Sequence, residues 1–233
     1  MSKKKPIIVI TMGDPSGIGP EIIAKALSQR TVYDICQPVV VGDAQVMEAA
    51  SNLVLQNFQV NSIDVVQEAG FQFGYIDILD LKNIDINTLQ RGKVDHQSGR
   101  AAVEYVKSAI DLTVKGETDA IATAPLNKEA MNLAGFPYPG HTELLAETTG
   151  VENYAMMLLA DPLRIVHVTT HVALRRVSDL IKKERITNTI QLTDRALRTL
   201  GITTPKIAVA GLNLTPGKEA SLGQKNRMRL LRQ

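Results

Sequence analysis

The stretch PIIVITMGDPSGIGPEIIAKALSQ, residues 6–29, decides the fold class. Its first part, residues 6–11, is a run of mainly β-branched residues without a polar interruption, which is typical of a strand buried in a parallel sheet. Three glycines and two prolines fill the turn at 13–20. A helical pattern follows from Pro20, a residue that suits the first turn of a helix. A strand, a Gly-rich turn and a helix in this order predict an α/β protein.

The same alternation of strands and helices continues outward along the chain. Residues 38–43 and 119–125 have the pattern of buried strands. Between them, residues 98–116 form an amphipathic helical pattern that Ser98 can cap. A final apolar strand is predicted at 206–213. Because helices separate the strands, we predict an α/β fold with a largely parallel sheet.

Composition and charge exclude several classes of function. The chain has 233 residues, 44% of them hydrophobic, which is enough for one large core or two smaller ones. Residues 214–233 hold five cations against one anion, so the rest of this chain of net charge +2 is mildly acidic. The net negative charge of residues 1–213 argues against nucleic-acid binding. No apolar run is long enough to span a membrane. The single cysteine, Cys36, is typical of a cytoplasmic protein.

Two residues are candidates for an active-site cleft because they follow predicted strands. Asp14 lies in the Gly-rich turn, whose backbone N–H groups either bind a phosphate or simply close a tight turn. Its carboxylate either contacts a ligand or forms a local Asx turn. Lys128 follows the strand at 119–125, where ligands of α/β proteins bind. Otherwise Lys128 is a solvent-exposed lysine at the start of a helix.

Histidines mark further candidates. His141 and Thr142 stand in the loop-to-helix segment PGHTE, where they either bind a ligand or serve as a surface histidine and a helix N-cap. In the segment HVTTH, strand alternation predicts that His167, Thr169 and His171 share one face. Two histidines on one face suit a metal, but a useful site needs a third ligand. We expect His167 to be a hydrogen-bonded core residue and His171 to lie at the functional end of the strand.

Four motifs in a fixed order give the chain a resemblance to a known family. They are ITMGDPSGIGPEI, TAPLNKEA, GHTELLAE and VTTH. Over residues 6–213 the chain resembles the 4-hydroxythreonine-4-phosphate dehydrogenases of pyridoxine biosynthesis, the PdxA family. The resemblance implies a fold like that of isocitrate and isopropylmalate dehydrogenases, with two α/β domains around a cleft. It also implies a homodimer that shares its active site between subunits.

The resemblance further implies a reaction and its cofactors. The family oxidises the 3-hydroxyl of 4-phosphooxy-L-threonine with NAD and releases CO2, which gives 3-amino-2-oxopropyl phosphate for pyridoxal phosphate (vitamin B6) biosynthesis. By motif match, His141 and Thr142 bind substrate, and His171 is one of three histidine ligands to a divalent metal, Zn, Mg or Co. Asp14 and Lys128 are cleft candidates by position only, and the sequence does not identify a general base. Some relatives act instead on threonate or erythronate 4-phosphate.

The predicted domains are a first α/β domain over residues 1–123 and an incomplete second α/β domain over 124–213, with the C-terminal third of the family missing. After Asn213 the family continues with Pro-His-Ala-Gly, which contains its second metal histidine, whereas this chain reads Leu-Thr-Pro-Gly. Residues 213–233 can be back-translated with a free choice of codons and then read in a frame that begins at the last base of the Asn213 codon. In that frame the sequence can become Pro-His-Ala-Gly-Glu-Gly-Gly-Leu-Phe-Gly, which restores the family motif. We therefore expect that one base is missing and that residues 214–233 are an out-of-frame, disordered tail.

A genuine divergent tail is the alternative, and its net charge of +4 would then suit an acidic partner. Such a chain would act as a non-catalytic binding or dimerisation fragment. In either case we expect no measurable dehydrogenase activity from the 233 residues as written.

Overall fold

The chain forms two compact units, Met1–Glu152 and Asn153–Gln233. A computed structural model describes residues 4–54 and 58–212. The boundary expected from the sequence, between 123 and 124, differs from this division and stays a prediction. The expected tail at 214–233 lies outside the described residues.

Five parallel strands form the sheet of the first unit. In chain order they are β1 (Ile7–Thr11), β2 (Gln37–Gly42), β3 (Gln59–Ile63), β4 (Tyr75–Asp80) and β5 (Ala120–Thr123). Their order in space is β3-β4-β2-β1-β5, and every neighbouring pair is parallel. Strand β2, which follows β1 in the chain, therefore lies on one side of β1, and the later strand β5 lies on its other side. The predicted α/β fold with a parallel sheet is confirmed.

Helices cover this sheet and bury its central strands. They are α1 (Gly19–Leu27), α2 (Arg30–Ile35), α3 (Ala44–Val54), α4 (His96–Val114), α5 (Lys128–Leu133) and α6 (His141–Thr149), with a short 3-10 turn at Val66–Glu68. Side chains of α1, α3 and α4 join those of the strands in one core, in which Val39, Val40 and Val41 of β2 are fully buried. Burial of this kind explains the uninterrupted apolar runs of the strands.

Helix α4 begins two residues earlier than the sequence predicted. Its N-cap is Asp95, whose carboxylate accepts a hydrogen bond from the Ser98 backbone N–H at 3.0 Å. Ser98 lies inside the helix and is fully buried. The prediction of a Ser98 cap was therefore wrong, because an aspartate is as good an N-cap and stands three residues earlier.

The described part of the second unit consists of a hairpin and two helices. Strands β6 (Met157–Ala160) and β7 (Leu163–Val166) pair antiparallel, and α7 (Leu174–Leu180) and α8 (Lys183–Thr199) follow. The strand expected at 206–213 does not form over 206–212, the part of it that the structure describes. Extended backbone becomes a strand only when a neighbour shares its hydrogen bonds, and no described strand pairs with this segment.

No helix within residues 4–54 and 58–212 is both long enough and apolar enough to cross a membrane.

Candidate active site at the edge of the sheet

The candidate site lies where β1 and β5 end side by side. Thr11 pairs with Thr123 in the parallel ladder, so the turn after β1 and the loop after β5 leave the sheet at the same edge. The strand order reverses here, since β2 lies on one side of β1 and β5 on the other. Ligands of open α/β sheets bind at such a switch point, outside the carboxyl ends of the strands.

Two glycines allow the turn after β1 to pack closely. A Cβ atom on Gly13 would lie 2.4 Å from the Pro125 carbonyl oxygen, and one on Gly19 would lie 2.2 Å from the Met12 carbonyl oxygen. Gly13 also has a φ of +73°, which glycine adopts without a steric penalty. The Asp14 N–H donates to the same Pro125 carbonyl at 3.0 Å. These glycines therefore serve close backbone packing between the turn and the loop after β5.

The turn uses two of its own backbone N–H groups. The Asp14 carboxylate accepts a hydrogen bond from the Ser16 N–H at 2.9 Å, and the Asp14 carbonyl accepts one from the Gly17 N–H at 2.9 Å. This is the Asx turn that the sequence allowed as one alternative. Because these donors are already paired, the geometry favours a tight turn over phosphate binding at 14–17.

Asp14 is a buried carboxyl group beside a second acid. It is 5% exposed. Burial raises the pKa of Asp14 above its ordinary value and the charge of Asp95 raises it further, while the Ser16 N–H and the Asn127 side chain lower it. Two acids at this edge disfavour a phosphate beside Asp14 and favour a ligand group that donates hydrogen bonds.

Asn127 is the site residue that sequence reasoning missed. Its side-chain oxygen accepts hydrogen bonds from the N–H groups of Glu129 at 3.0 Å and Ala130 at 3.2 Å, which caps α5. Its side chain also lies close enough to Asp14 to lower the pKa of that carboxyl group, so the loop after β5 and the turn after β1 lie side by side here. An asparagine directly before a helical run was the available signal. Lys128 is the exposed first residue of α5, and its role in a cleft stays a prediction.

The N-terminus of α4 reaches the same edge. The hydroxyl groups of Ser16 and Ser98 are hydrogen-bonded at 2.8 Å, and both residues are buried. The Gly92 N–H donates to the Ser16 carbonyl at 2.7 Å. The turn after β1 is therefore held by the loop after β5 and by the segment that leads into α4.

His141 is the first residue of α6, and it is half-buried. Its ring lies near the backbone of Ala124, directly after β5. Burial lowers the pKa of the ring below its ordinary value, although the Ala124 contact acts in the opposite direction. The Nε2 atom is shielded from solvent and has no hydrogen-bond partner in the described chain. The alternative of an ordinary surface histidine was therefore wrong.

Thr142 is the second residue of α6, so the alternative of a Thr142 N-cap was also wrong. The N-cap position belongs to Gly140, which has no side chain to offer to the first N–H groups. Glu143 lies in the same turn, and its Oε2 is shielded without a partner among the residues described. The start of α6 thus presents two shielded polar atoms, one from His141 and one from Glu143.

The HVTTH segment of the second unit is not a strand. Strand β7 ends at Val166, and one more bond runs from the His167 N–H to the Met156 carbonyl at 3.2 Å. The Val168 carbonyl then accepts a hydrogen bond from the Arg185 guanidinium at 3.1 Å. The prediction that alternate residues here share a strand face was wrong, because a side chain replaces the neighbouring strand.

His171 is exposed and has a φ of +53°, in the left-handed region that non-glycine residues rarely adopt. His167 is half-buried, and its Nδ1 has no partner among the described atoms, contrary to the expected hydrogen-bonded core histidine. Over residues 4–54 and 58–212, no group of three His, Cys, Asp or Glu residues could hold a metal ion. These residues alone do not fit a three-ligand metal site, and the assignment of His171 as a ligand stays a prediction.

Two solved structures are similar to most of this chain. A 4-hydroxythreonine-4-phosphate dehydrogenase from Burkholderia phymatum superimposes with a TM-score of 0.81 at 41% identity, covering 91% of this chain and 64% of its own. A protein from Salmonella typhimurium with the same name, given provisionally, superimposes with a TM-score of 0.87 at 42% identity, covering 95% of this chain and 68% of its own. The class that fold and site define is thus an α/β protein whose structural relatives are named dehydrogenases.

Sequence comparison identifies the family. A Clostridium botulinum protein with the provisional name D-threonate 4-phosphate dehydrogenase is 43% identical over 225 residues, 97% of this chain and 67% of the relative. The sequence model described as pyridoxal phosphate biosynthetic protein PdxA matches residues 34–231. The chain belongs to the PdxA family and spans about two thirds of the length of these relatives. The match to the family model extends beyond Asn213, so it does not by itself indicate that the family sequence breaks off at that residue.

Proposed function

We propose that this sequence encodes an NAD-dependent dehydrogenase of a phosphorylated four-carbon hydroxy acid. The reaction is oxidation of the 3-hydroxyl of 4-phosphooxy-L-threonine, followed by loss of CO2 to give 3-amino-2-oxopropyl phosphate in pyridoxal phosphate biosynthesis. A divalent metal and a homodimer with a shared active site belong to the proposal through the family. The observation that supports it is the switch point of the sheet, where the turn that holds Asp14 and the loop that holds Asn127 leave neighbouring strands, in a chain whose relatives are named dehydrogenases of such acids.

The side chains at this edge have separate tasks in the proposed reaction. Asn127 and Ser98 hold the turn after β1 in place through Asp14 and Ser16. His141 and Thr142, in the first turn of α6, contact the substrate, and partial burial keeps water away from the imidazole. NAD, when bound, would supply the hydride acceptor for carbon 3 of the substrate, a chemistry that no side chain offers.

D-threonate 4-phosphate is the second candidate substrate, and the name of the Clostridium botulinum relative favours it. The two acids differ at carbon 2, where one carries an amine and the other a hydroxyl. The oxidation at carbon 3 and the loss of CO2 are common to both. The described residues supply no contact that distinguishes the amine from the hydroxyl, so the enzyme assay must decide which of the two acids is the substrate.

Formation of NADH tests the proposal. Each acid is supplied with NAD and with Mg²⁺, Co²⁺ or Zn²⁺, and both NADH absorbance and CO2 release are followed. Two coding sequences are compared, the present one and one with a single base added at the Asn213 codon. We expect turnover only from the second, with kcat/KM identifying the preferred acid.

Two results would change this account. Turnover by the 233-residue chain would show that the expected loss of activity was wrong. No turnover of either acid by the frame-restored chain, when that chain is folded and supplied with metal, would refute the proposed dehydrogenase.

A further inference from the structure

Arg185 joins α8 to the open end of the β6–β7 hairpin. Its Nε donates to the Val168 carbonyl at 3.1 Å, and its Nη2 donates to the Tyr154 carbonyl at 3.0 Å. Because Tyr154 precedes β6 and Val168 follows β7, one side chain connects the segments that lead into and out of the hairpin. Two N–H groups on one edge of a planar guanidinium suit a pair of acceptors, whereas a lysine ammonium offers no such fork.

Neither the helix nor an ion pair explains an arginine at this position. Arg185 is the third residue of α8, where a cation lies at the positive end of the helix dipole. Within residues 4–54 and 58–212, no carboxylate lies within ion-pair distance of its guanidinium. The side chain is half-buried, and both of its hydrogen bonds go to backbone carbonyls. The two bonds to the hairpin therefore account for its placement.

Little else holds residues 168–172 in place. In the part of the chain that the structure describes, they form no backbone–backbone hydrogen bond. A cavity of about 330 Å³ lies beside them, lined in part by Thr169 and Thr170, so packing on that side is incomplete. The bond from Arg185 to Val168 is the last described hydrogen bond before His171, whose φ of +53° is one that histidine rarely adopts.

We propose that Arg185 is a positioning residue of the active site: its guanidinium holds the open end of the hairpin against α8 and thereby sets the position of His171. This inference rests on the proposed function, which places His171 in the active site. Arg185 touches no reacting atom and acts only through residues 168–171. Its loss therefore impairs the site more than it impairs the fold.

NMR of the whole 233-residue chain tests the effect on His171. Arg185→Gln removes the fork, and Arg185→Lys keeps the charge without the fork. Arg195→Gln is the matched control, because Arg195 is an exposed arginine of the same helix. Carbon-13 shifts and scalar couplings of His171 report its φ. We expect both to change in Arg185→Gln, to be restored only in part by Arg185→Lys, and to stay unchanged in Arg195→Gln.

Steady-state kinetics of the frame-restored chain test the consequence for the active site. With the preferred acid, we expect Arg185→Gln to lower kcat/KM roughly 10–100-fold, because a small misplacement of an active-site group has a cost of this order. Arg195→Gln should stay within about twofold of the unchanged enzyme. Melting curves establish that each variant is folded before its rates are compared.

The outcomes separate the inference from the function on which it rests. Unchanged His171 signals in Arg185→Gln, or full restoration by Arg185→Lys, would overturn the fork. Changed His171 signals with undiminished kcat/KM would overturn the role in the active site. No turnover by the unchanged frame-restored enzyme would refute the proposed function, while the NMR comparison still decides whether Arg185 sets the position of His171.

A second measurement covers a variant that does not fold. In the unchanged chain, the nitrogen-15 signal of the Arg185 Nε–H reports its bond to Val168. We expect this proton to exchange with water at least about tenfold more slowly than the Nε–H of Arg195. Equal exchange of the two protons would overturn the inference.

Discussion

Replacement of Gly99 by alanine tests the packing that supports the candidate site. Gly99 lies in α4 against α5, and a Cβ atom there would lie 2.0 Å from the Ala130 carbonyl oxygen and 2.7 Å from the Met131 nitrogen. Both are backbone atoms, so no side-chain rotation relieves the contact. Ordinary contact begins at 3.4 Å, so the contacting backbones must separate by 1.4 Å, the difference between 3.4 and 2.0 Å.

We expect Gly99→Ala to lower the free energy of unfolding by about 3 kcal/mol, the upper end of the usual cost of overpacking. For a chain of this size the melting temperature should fall by roughly 6–12 °C, at about 2–4 °C per kcal/mol. Displacement of α5 also moves Asn127, which caps that helix and contacts Asp14. Affinity for the substrate should therefore fall together with stability.

Thermal and urea unfolding, followed by circular dichroism, measure the effect. Gly70→Ala is the matched control, because a Cβ at Gly70 meets no atom within 4 Å and its φ lies outside the left-handed region. We expect Gly70→Ala to change stability by less than about 1 kcal/mol. Equal stability of the two variants would refute the close packing of α4 on α5.

Three further substitutions have defined outcomes. Asn127→Ala removes the cap of α5 and the contact with Asp14, so urea denaturation should show a loss of about 1–2 kcal/mol. Burial raises the folded pKa of Asp14 above 3.8, so the stability that its protonated form contributes is lost as pH rises from 3.8 through the folded pKa. In urea titrations over this range, the unchanged chain should lose stability relative to Asp14→Asn. Arg185→Gln removes two hydrogen bonds to backbone carbonyls, and amide hydrogen exchange at 167–172 should accelerate about tenfold.

Each of these substitutions has a control or a contrary result. Asn132→Ala changes an exposed asparagine of the same helix and should alter stability by less than about 0.5 kcal/mol. A stability difference for Asp14→Asn that grows in favour of the unchanged chain as pH rises would contradict the burial argument. Faster exchange throughout the chain after Arg185→Gln, rather than at 167–172, would indicate general unfolding instead of a local tether.

Local patterns predicted the elements of the first unit well. The apolar run at residues 6–11 became β1, and the amphipathic run at 98–116 became α4 with a shift of two residues. Both signals come from residues that are neighbours in sequence and that face one core. The strand expected at 206–213 failed because its existence depends on a partner strand, which no local pattern supplies.

The candidate site was predicted only as separate residues. Asp14 and His141 were identified from their motifs, but the contact between Asp14 and Asn127 crosses more than a hundred residues of chain. The hydrogen bond between Ser16 and Ser98 joins residues 82 positions apart in sequence. Such contacts follow from the strand order, which places the ends of β1 and β5 together. The free Nε2 of His141 likewise depends on burial that a sequence does not state.

The central claim is that the edge formed by β1, β5 and α6 binds a phosphorylated four-carbon hydroxy acid. Titration of the nitrogen-15-labelled 233-residue chain with 4-phosphooxy-L-threonine and with D-threonate 4-phosphate, followed through its backbone amide signals, tests this directly. The account predicts saturable shifts concentrated at residues 13–17, 124–127 and 141–142. Saturable shifts confined to other residues, or no shift with either acid, would contradict it.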